Sequence, residues 1–450
     1  MAASPLQSVL QAPVHAGRPW RRAFAWLLLL APVFFITYAT ANWLAAQRGD
    51  VGSVVFAWER HIPFVAWTIV PYWSIDLFYG LSLLLPRTRA ELDAHAKRLL
   101  AAQAISVLFF IALPLRFTFE RPEVTGIFGW MLDVLLGFDK PFNQAPSLHI
   151  SLLVVLWALY ARYAPGLWRW VLHGWALLIG VSVLTTYQHH FFDIPTGILA
   201  GCLCVLLFPL EPAAPGQCSA RQRDPHRWNI GLRYLASSAL LYGAGVWLAG
   251  AWLWLWWPAS SLLCVAGIYF YGDAAKFRKH AGAMDWPVAL LLSPYLVAAW
   301  INSRCWTRKR PQPGEIVPGL WLSRLPAKSE LACVAPAALV DCCAELPLDA
   351  RGLRVYAVPM LDLIVPEVAQ IEQGVVAIAS AREHGATLVF CALGYSRSAA
   401  IVVAWLVAEG HAYNITTAEA MVRRARPELV LSPAHLTQLE SWHENRIPDA

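Results

Sequence analysis

The stretch TLVFCALGYSRSAAIVVAWLVA, residues 387–408, decides the fold of the C-terminal part of this chain. Its first four residues are typical of a short buried strand, and its last eleven form an apolar run of helical length. Cys391, Gly394 and Arg397 lie between them. A strand that passes through a tight loop into a helix directs backbone N–H groups and the helix N-terminus at one point, where they can bind an anion. The pattern predicts an α/β domain with a phosphate-binding loop.

The side chains of this loop are suited to phosphate chemistry. The field of the loop favours the thiolate of Cys391, and a thiolate attacks phosphorus. Arg397 offers parallel N–H donors to the equatorial phosphate oxygens. Gly394, Ser396 and Ser398 complete the predicted phosphate-binding set. The alternative interpretation is a buried cysteine that simply ends a strand.

With these residues, and with EIVPGLWL at residues 315–322, the segment resembles the dual-specificity branch of the protein tyrosine phosphatases over about residues 312–450. The resemblance implies that Cys391 is the nucleophile, that Arg397 binds the phosphate and that Ser398 helps to expel the thiolate. It also implies that Asp362 is the general acid; without the resemblance, Asp362 is only a loop carboxylate. Phe390 stands where the family has histidine, which predicts a slower enzyme.

Neighbouring segments predict the remaining elements of this domain. Short apolar runs bounded by turn residues predict strands, and longer amphipathic or apolar runs predict helices. The predicted strands cover residues 320–323, 338–341, 353–358 and 387–390, and the predicted helices cover residues 368–383, 398–409, 417–426 and 433–445.

The preceding part of the chain has the composition of a membrane protein. Of the 450 residues of the whole chain, 58% are hydrophobic and 14% are charged, whereas about a quarter of the residues in soluble proteins are charged. Runs of about 20 apolar residues can span a bilayer. Such runs occur at residues 23–45, 63–85, 99–117, 149–164, 168–188, 193–210, 230–249, 251–271 and 286–303. The last has positive charge at both ends, which favours an interfacial or re-entrant helix.

Charge in the connecting segments predicts the topology. Arginine and lysine accumulate in loops on one side, which should be the cytoplasm. A reactive thiol also suits a reducing compartment, so we expect the C-terminal domain to be cytoplasmic, at the inner membrane of the cell. The predicted organisation is a cytoplasmic N-terminus at 1–22, a membrane domain at 23–210, additional membrane helices at 211–304, a linker at 305–313 and the phosphatase-like domain at 314–450.

Two classes of function are excluded by composition. The net charge is +6, but the basic residues form no stripe with interleaved aromatic residues, which argues against a nucleic-acid partner. The nine cysteines show neither metal-ligand spacing nor a disulfide framework. We therefore expect no zinc site. The mechanisms inferred for both sites are covalent and metal-free, so we also expect no cofactor.

Polar clusters mark the ends of several predicted membrane helices, all on the extracytoplasmic side. Polar residues at membrane depth are costly and usually functional. The clusters are Arg116 with Arg121-Pro122, Pro146-Ser147-Leu148-His149, and His189-His190-Phe191-Phe192-Asp193. One histidine can attack phosphorus while a carboxylate orients its ring, a second can protonate the leaving oxygen, and arginine can bind the phosphate. The alternative is a set of structural histidines.

The order of these clusters resembles the type 2 phosphatidic acid phosphatase superfamily over roughly residues 20–210. The resemblance implies that His189 is the nucleophile, that Asp193 orients it and that His149 is the general acid. It also implies that Arg121 and Ser147 bind phosphate.

Three positions depart from that family: Pro114 replaces a lysine, Leu148 a glycine and Val183 an arginine. Arg116 is the residue that we expect to compensate. The reduced pattern is similar to the branch that includes the sphingomyelin and inositol-phosphorylceramide synthases. Members of that branch transfer a headgroup phosphate to an alcohol.

The sequence thus predicts a polytopic α-helical membrane domain, with a six-helix core and two or three further helices, followed by an α/β phosphatase domain. Its expected substrates are a membrane lipid phosphate at the histidine site, and a phosphoprotein or a phosphorylated lipid headgroup at the cysteine site. One alternative is a phospholipid headgroup transferase in the membrane half. The other is a membrane scaffold with a degenerate phospho-binding domain, which Phe390, Pro114 and Val183 favour.

Overall fold

The computed structural model describes residues 18–211, 224–350 and 352–446. The chain divides into two compact units between residues 212 and 213. Most of the predicted N-terminal segment, residues 1–17, lies outside the described residues, and so does the start of the predicted additional helices, residues 212–223. The second unit contains both the additional helices and the α/β domain, which the sequence analysis treated as separate domains.

The first unit is α-helical. Its helices are α1 (Trp20–Ala46), α2 (Ile69–Ser82), α3 (Arg89–Ala112), α4 (Gly126–Phe138), α5 (Leu148–Tyr163), α6 (Gly166–Thr185) and α7 (Asp193–Leu207). Helix α5 is the centre of the unit, since it packs against α2, α3, α6 and α7 and most of its first half is buried. The surrounding helices expose large apolar side chains, such as Leu28 and Trp168, as lipid-facing helices do.

Two glycines of α7 set its distance from α5. A Cβ atom at Gly197 would lie 2.7 Å from the carbonyl oxygen of Ser147, and one at Gly201 would lie 2.7 Å from that of Ser151. Residues four apart share one face of a helix, so both close approaches occur along a single seam. Small residues at such a seam allow helix backbones to pack closely. The seam therefore holds the start of α5 beside the start of α7.

Several boundaries in this unit differ from the sequence prediction, and two of them have a clear local cause. Helix α3 ends at Ala112 instead of residue 117, because Pro114 keeps the residue before it out of helical geometry, with Leu113 at φ −133° and ψ 64°. Helix α2 begins at Ile69, since the preceding residues form short 3₁₀ turns at Glu59–His61 and Ala66–Thr68. Helix α4 lies in a segment for which no membrane helix was predicted.

The second unit begins with three helices, α8 (Pro225–Leu248), α9 (Trp256–Tyr271) and α10 (Trp286–Trp306). Asp224 caps α8 by accepting a hydrogen bond from the His226 backbone, and Pro225 occupies the first helical turn. A short hairpin precedes α10. Its two strands, β1 (Lys279–His280) and β2 (Ala283–Met284), have two residues each.

The α/β domain follows and confirms the predicted fold of the C-terminal part. Its strands are β3 (Gly314–Val317), β4 (Leu320–Ser323), β5 (Ala338–Cys343), β6 (Arg354–Met360) and β7 (Thr387–Phe390), and its helices are α11 (Lys328–Val334), α12 (Val368–Arg382), α13 (Arg397–Ala408), α14 (Ile415–Ala425) and α15 (Pro433–Glu444). The sheet order is β3-β4-β7-β5-β6, with β3 antiparallel and the rest parallel. Strand β3 and helix α11 were not predicted.

Strand β7 occupies the middle of this sheet and is fully buried, as its apolar sequence requires. Its side chains alternate between two apolar clusters, with Val389 on the side of α12 and α13, and Leu388 and Phe390 on the other. The loop after β7 therefore starts from a rigid position.

Five stretches within the described residues are long and apolar enough to cross a membrane. They are Trp20–Ala46, Arg89–Ala112, Gly166–Thr185, Gly250–Tyr271 and Trp286–Trp306. Helices α5 and α7 are shorter, at 16 and 15 residues. Several helices of membrane-spanning length and composition are thus present in both units.

We expect Gly197→Val to abolish any activity of the histidine cluster while the cysteine site keeps its own. The added side chain would enter the space of the Ser147 carbonyl and the Ile150 side chain, and would push α7 away from α5. Phosphate release from each site in the purified full-length protein would be the measurement. Gly174→Val, at a helical position with open space, is the matched control. Full activity of the Gly197→Val protein on lipid phosphate would contradict the role of the seam.

Candidate functional sites

The loop between β7 and α13 holds Cys391 at its base. The thiol is 2% exposed. Its sulfur accepts a hydrogen bond from the backbone N–H of Gly394 and another from the hydroxyl of Ser398, each at 3.2 Å. Both donors can remain on the sulfur while it acts as nucleophile and as leaving group. The structure thus brings together three of the predicted residues around one reactive atom.

Gly394 is required by the path of this loop. Its φ is +75°, in the left-handed region that favours glycine. A Cβ atom there would also lie 2.4 Å from the carbonyl oxygen of Ser323, at the end of β4. Ser396 directly precedes α13 and its hydroxyl makes no capping bond, so it contributes to the loop through its backbone. Phe390, in place of the family's histidine, is fully buried in the apolar cluster beside β5.

Arg397 begins α13 and is 1% exposed. Its Nη1 and Nη2 atoms donate to the two carboxylate oxygens of Glu345, each at 2.8 Å, and Nη1 also donates to the Met360 carbonyl at 2.8 Å. Nη2 lies 2.9 Å from Oδ1 of Asp362. The Nε atom is buried and has no partner among the described residues. The guanidinium is therefore held from the strand side, with one donor still to be satisfied.

Glu345 was not identified from the sequence. It follows β5 and is 2% exposed. Burial raises the pKa of its carboxyl, but the charge and hydrogen bonds of Arg397 outweigh this and hold the pKa below its usual value. A single acidic residue in the apolar stretch CCAELPL, residues 342–348, was the available signal, because a buried carboxylate needs a cationic partner.

Asp362 lies in the turn after β6, where the sequence placed the candidate general acid. Burial raises the pKa of its carboxyl, and the neighbouring charge of Glu345 raises it further, against the opposing effect of Arg397. The next residue, Leu363, has φ +60°, a conformation that costs free energy outside glycine. Asp362 thus reaches Arg397 from a constrained turn and has the raised pKa that a general acid needs.

The second cluster lies at one end of the helices of the first unit. His189 is buried and has a partner on each ring nitrogen, Asp193 Oδ2 at 3.1 Å from Nδ1 and Ser147 Oγ at 3.0 Å from Nε2. A carboxylate on Nδ1 favours the tautomer that carries its proton there, which leaves the Nε2 lone pair directed at the serine hydroxyl. The structure therefore places Asp193, predicted to orient His189, and Ser147, predicted to bind phosphate, on opposite nitrogens of the His189 ring.

His149 and Arg121 complete this cluster. The His149 ring stacks on Tyr72 with centroids 4.1 Å apart, and it lies near His189. Arg121 donates from Nη2 to the Tyr187 carbonyl at 3.0 Å and lies near Tyr72. The His149 Nε2 atom and the Arg121 Nε and Nη1 atoms are buried and have no partner in the described part of the chain. Buried polar atoms without partners are rare, so these three atoms are candidates for contact with a bound ligand.

Sequence reasoning missed Glu59, which lies far from the histidine motif in the chain. Its carboxylate accepts hydrogen bonds from His190 Nδ1 at 3.0 Å and from the Phe191 backbone at 2.9 Å. Burial raises the pKa of Glu59, but these bonds and one from the Phe56 backbone hold the pKa below its usual value. Glu59 therefore fixes the loop that carries His189.

Arg116 does not join the cluster. Its side chain is exposed, while its backbone N–H donates to the Gly52 carbonyl at 2.8 Å. The expectation that Arg116 compensates for the departures from the family pattern therefore stays a prediction. Val183 is fully buried, and its carbonyl accepts the backbone N–H of His189.

Neither site contains the ligands of a metal. Among residues 18–211, 224–350 and 352–446, no group of three or more His, Cys, Asp or Glu side chains is placed to hold a metal ion. The chemistry proposed below uses only the side chains of the two clusters.

Comparison with known proteins identifies the C-terminal domain. Residues 337–445 match the family model described as the dual specificity phosphatase, catalytic domain. No curated protein matches the chain. The match lies wholly within the second unit, and this domain makes the chain a phosphoric monoester hydrolase, as the sequence predicted.

Solved structures similar to the chain include phosphatases that cover about a third of it. Human DUSP28 is 29% identical, with 29% of this chain and 96% of that chain covered and a TM-score of 0.27. Tk-PTP in its active form is 30% identical, with 31% and 99% covered and a TM-score of 0.28. PTPMT1 in complex with PI(5)P is 20% identical, with 30% and 95% covered and a TM-score of 0.27.

We expect Glu345→Gln to lower kcat/KM at the cysteine site by about tenfold or more. Hydrogen bonds to charged groups contribute about 1.5–3 kcal/mol each, and this change removes one acceptor and the charge that hold Arg397. Phosphate release from p-nitrophenyl phosphate is the measurement. Asp341→Asn, which breaks the buried pair with Lys279 at 2.6 Å, is the control and should keep catalysis. Equal losses in the two variants would show that Glu345 matters only for folding.

We expect kcat at the cysteine site to fall as pH rises through the raised pKa of Asp362. A general acid acts when protonated, and its pKa is raised above the ordinary value of about 4, so the active form persists to higher pH than for an exposed aspartate. Asp362→Asn should remove this limb of the pH profile and lower kcat by roughly 10²–10⁴-fold for an alkyl phosphate. An unchanged profile in the Asp362→Asn protein would rule out the role.

Proposed function

We propose that this protein is a membrane-bound phosphatase with two separate sites. The cysteine site hydrolyses phosphotyrosine, phosphoserine or phosphothreonine, or a phosphorylated lipid headgroup, and the histidine site acts on a lipid phosphate. The observation that carries the proposal is the Cys391 sulfur, which accepts hydrogen bonds from Gly394 and Ser398 at the start of the helix that bears Arg397. The family match over residues 337–445 supports the same assignment.

The reaction at the cysteine site follows from this geometry. The sulfur of Cys391 attacks phosphorus, the P–O bond to the leaving group breaks, and Asp362 donates its proton to the departing oxygen. Arg397 binds the equatorial oxygens of the phosphate. Its Nε atom, which has no hydrogen-bond partner among the described residues, is the donor available for this contact. In the second step Asp362 takes a proton from water, which attacks phosphorus and displaces the thiolate. The Ser398 hydroxyl then stabilises the departing sulfur.

The bond between Asp362 and Arg397 sets a condition on this reaction. Both carboxylates around the guanidinium, Glu345 and Asp362, contact Nη2. A dianionic phosphate bound beside them would be repelled if both stayed ionised. Protonation of Asp362 removes that repulsion and supplies the catalytic proton. Substrate binding and loading of the acid are thereby coupled.

The histidine site is proposed to use the same two-step logic with nitrogen as nucleophile. His189 Nε2 attacks phosphorus while Asp193 retains the proton on Nδ1. His149 protonates the leaving oxygen, and Arg121 binds the phosphate with its free Nε and Nη1 donors. Water then cleaves the phosphohistidine and regenerates the ring. The resemblance to the type 2 phosphatidic acid phosphatases supports these roles.

Headgroup transfer is the second candidate for the histidine site. In the described part of the chain, Arg121 is the arginine that joins this cluster, while Arg116 is exposed and Val183 is apolar and buried. A site with fewer cations holds the phosphoryl group less tightly. An alcohol would then replace water in the second step, with a phosphorylated alcohol as product instead of free phosphate.

The membrane is the proposed location. The helices of membrane-spanning length and composition support a multi-pass protein, and the distribution of arginine and lysine in the sequence supports a cytoplasmic C-terminal domain at the inner membrane.

Phosphate release by the purified full-length protein tests the two-site proposal. We expect Cys391→Ser to abolish release from a phosphotyrosine analogue only, His189→Ala to abolish release from short-chain phosphatidic acid only, and the double variant to abolish both. Loss of both activities in one single variant would contradict two independent sites. Wild-type protein that forms a phosphorylated alcohol, with no free phosphate from lipid, would establish transfer. Tight binding of phosphate ligands without turnover at either site would establish a scaffold instead.

A further inference from the structure

A cavity of about 370 Å³ adjoins the cysteine site within the second unit. One wall comes from helices α8, α9 and α10 and includes Leu262, Pro294 and Ala298. The other comes from the α/β domain and includes Glu345, Asp362 and Leu393 of the cysteine loop. The cavity therefore runs from the two carboxylates around Arg397 to a surface formed by apolar helices. Its volume lies within the range typical of small-molecule sites.

Hydrogen bonds hold the helical wall against the catalytic loop. The Ser303 hydroxyl in α10 donates to the carbonyl of Ala392, directly after the nucleophile, at 2.5 Å. The Tyr269 hydroxyl in α9 donates to the carbonyl of Asp362 at 3.0 Å. Both helices are thus fixed to the two loops that carry the chemistry. The helical wall of the cavity is therefore held in place by hydrogen bonds to the two loops.

The outer face of the helical wall is apolar. Along α10, Val297, Trp300 and Ile301 are each about half exposed, while Leu292, Tyr295 and Leu296 on the opposite face are buried. Leu263 of α9 is also exposed. Helix α10, and the stretch Gly250–Tyr271 that contains α9, are both long and apolar enough to cross a membrane. An exposed apolar face of this extent suits contact with lipid, so the cavity opens between the catalytic groups and helices that would face the bilayer.

We infer that this cavity is a lipid-binding subsite of the cysteine site, and that the substrate is a membrane lipid phosphomonoester. The inference rests on the proposed function of Cys391. The phosphate would lie at Arg397, and the first part of the hydrocarbon would lie between Leu262, Pro294 and Ala298. Each methylene taken from water contributes about 0.8 kcal/mol, so the apolar wall can supply affinity for a lipid. A phosphorylated side chain of a folded protein gains nothing from this wall, which stands in its approach.

A cavity-filling substitution tests the subsite. All proteins carry His189→Ala, so that only the cysteine site releases phosphate. The substrates are dioctanoyl phosphatidic acid in detergent micelles, p-nitrophenyl phosphate and a phosphotyrosine peptide. We expect Leu262→Trp to lower the ratio of kcat/KM for the lipid to kcat/KM for the aryl phosphate by tenfold or more. Leu263→Trp is the matched control, an identical change at the adjacent exposed position, and should leave this ratio unchanged.

The outcomes separate failure of the inference from failure of the proposed function. If Leu262→Trp leaves the ratio unchanged, or if the peptide is the best substrate in every variant, the lipid subsite is wrong while the phosphatase assignment stands. If p-nitrophenyl phosphate is not hydrolysed in a Cys391-dependent manner, the proposed function falls, and the inference with it. If Leu262→Trp loses both activities through misfolding, Ala298→Leu makes a smaller change in the same wall. A lower ratio of kcat/KM for the lipid to kcat/KM for the aryl phosphate in this variant would then support the lipid subsite, and an unchanged ratio would contradict it.

Discussion

A buried guanidinium needs anionic and hydrogen-bond partners, and Arg397 shows how much of a domain these partners require. Its compensation comes from Glu345 after β5, from the Met360 carbonyl at the end of β6 and from Asp362 in the next turn. These positions meet because β5, β6 and β7 are parallel neighbours, so that their carboxyl ends share one edge of the sheet. Loss of one partner of such a pair costs about 3–5 kcal/mol, and the fold of this edge is therefore inseparable from the phosphate site.

The histidine cluster solves a related problem by different means. The ring of His189 has to be oriented, and Asp193 and Ser147 each hold one of its nitrogens by a hydrogen bond. Asp193 reaches His189 across one turn at the start of α7, whereas Ser147 arrives from α5. The two helices approach closely enough only because Gly197 and Gly201 lack side chains. Packing of small residues in the apolar interior thus sets the distance between the residues of this cluster.

The apolar helices of the second unit do more than carry the catalytic domain. Ser303 and Tyr269 bond to the backbone of the two catalytic loops, and α10 adds Ala299 to the apolar cluster beneath the sheet. A soluble domain on a flexible tether would need no such contacts. The shared cavity follows from this packing, because its walls come from these helices and from the loops that carry Glu345, Asp362 and Leu393.

The sequence by itself determined the elements whose chemistry is local. Strand β7, its loop and α13 were predictable, since apolar runs, one glycine and a six-residue spacing of Cys391 and Arg397 are all encoded within one segment. The same holds for His189 and Asp193, four residues apart, and for most strands and helices of the α/β domain.

Tertiary structure alone decided the partners that come from elsewhere in the chain. Glu345, Glu59 and the cavity beside α10 depend on contacts across tens of residues, and the outward side chain of Arg116 depends on the path of the loop after α3. Spacing along a chain cannot report such contacts, because they arise only when separate elements pack.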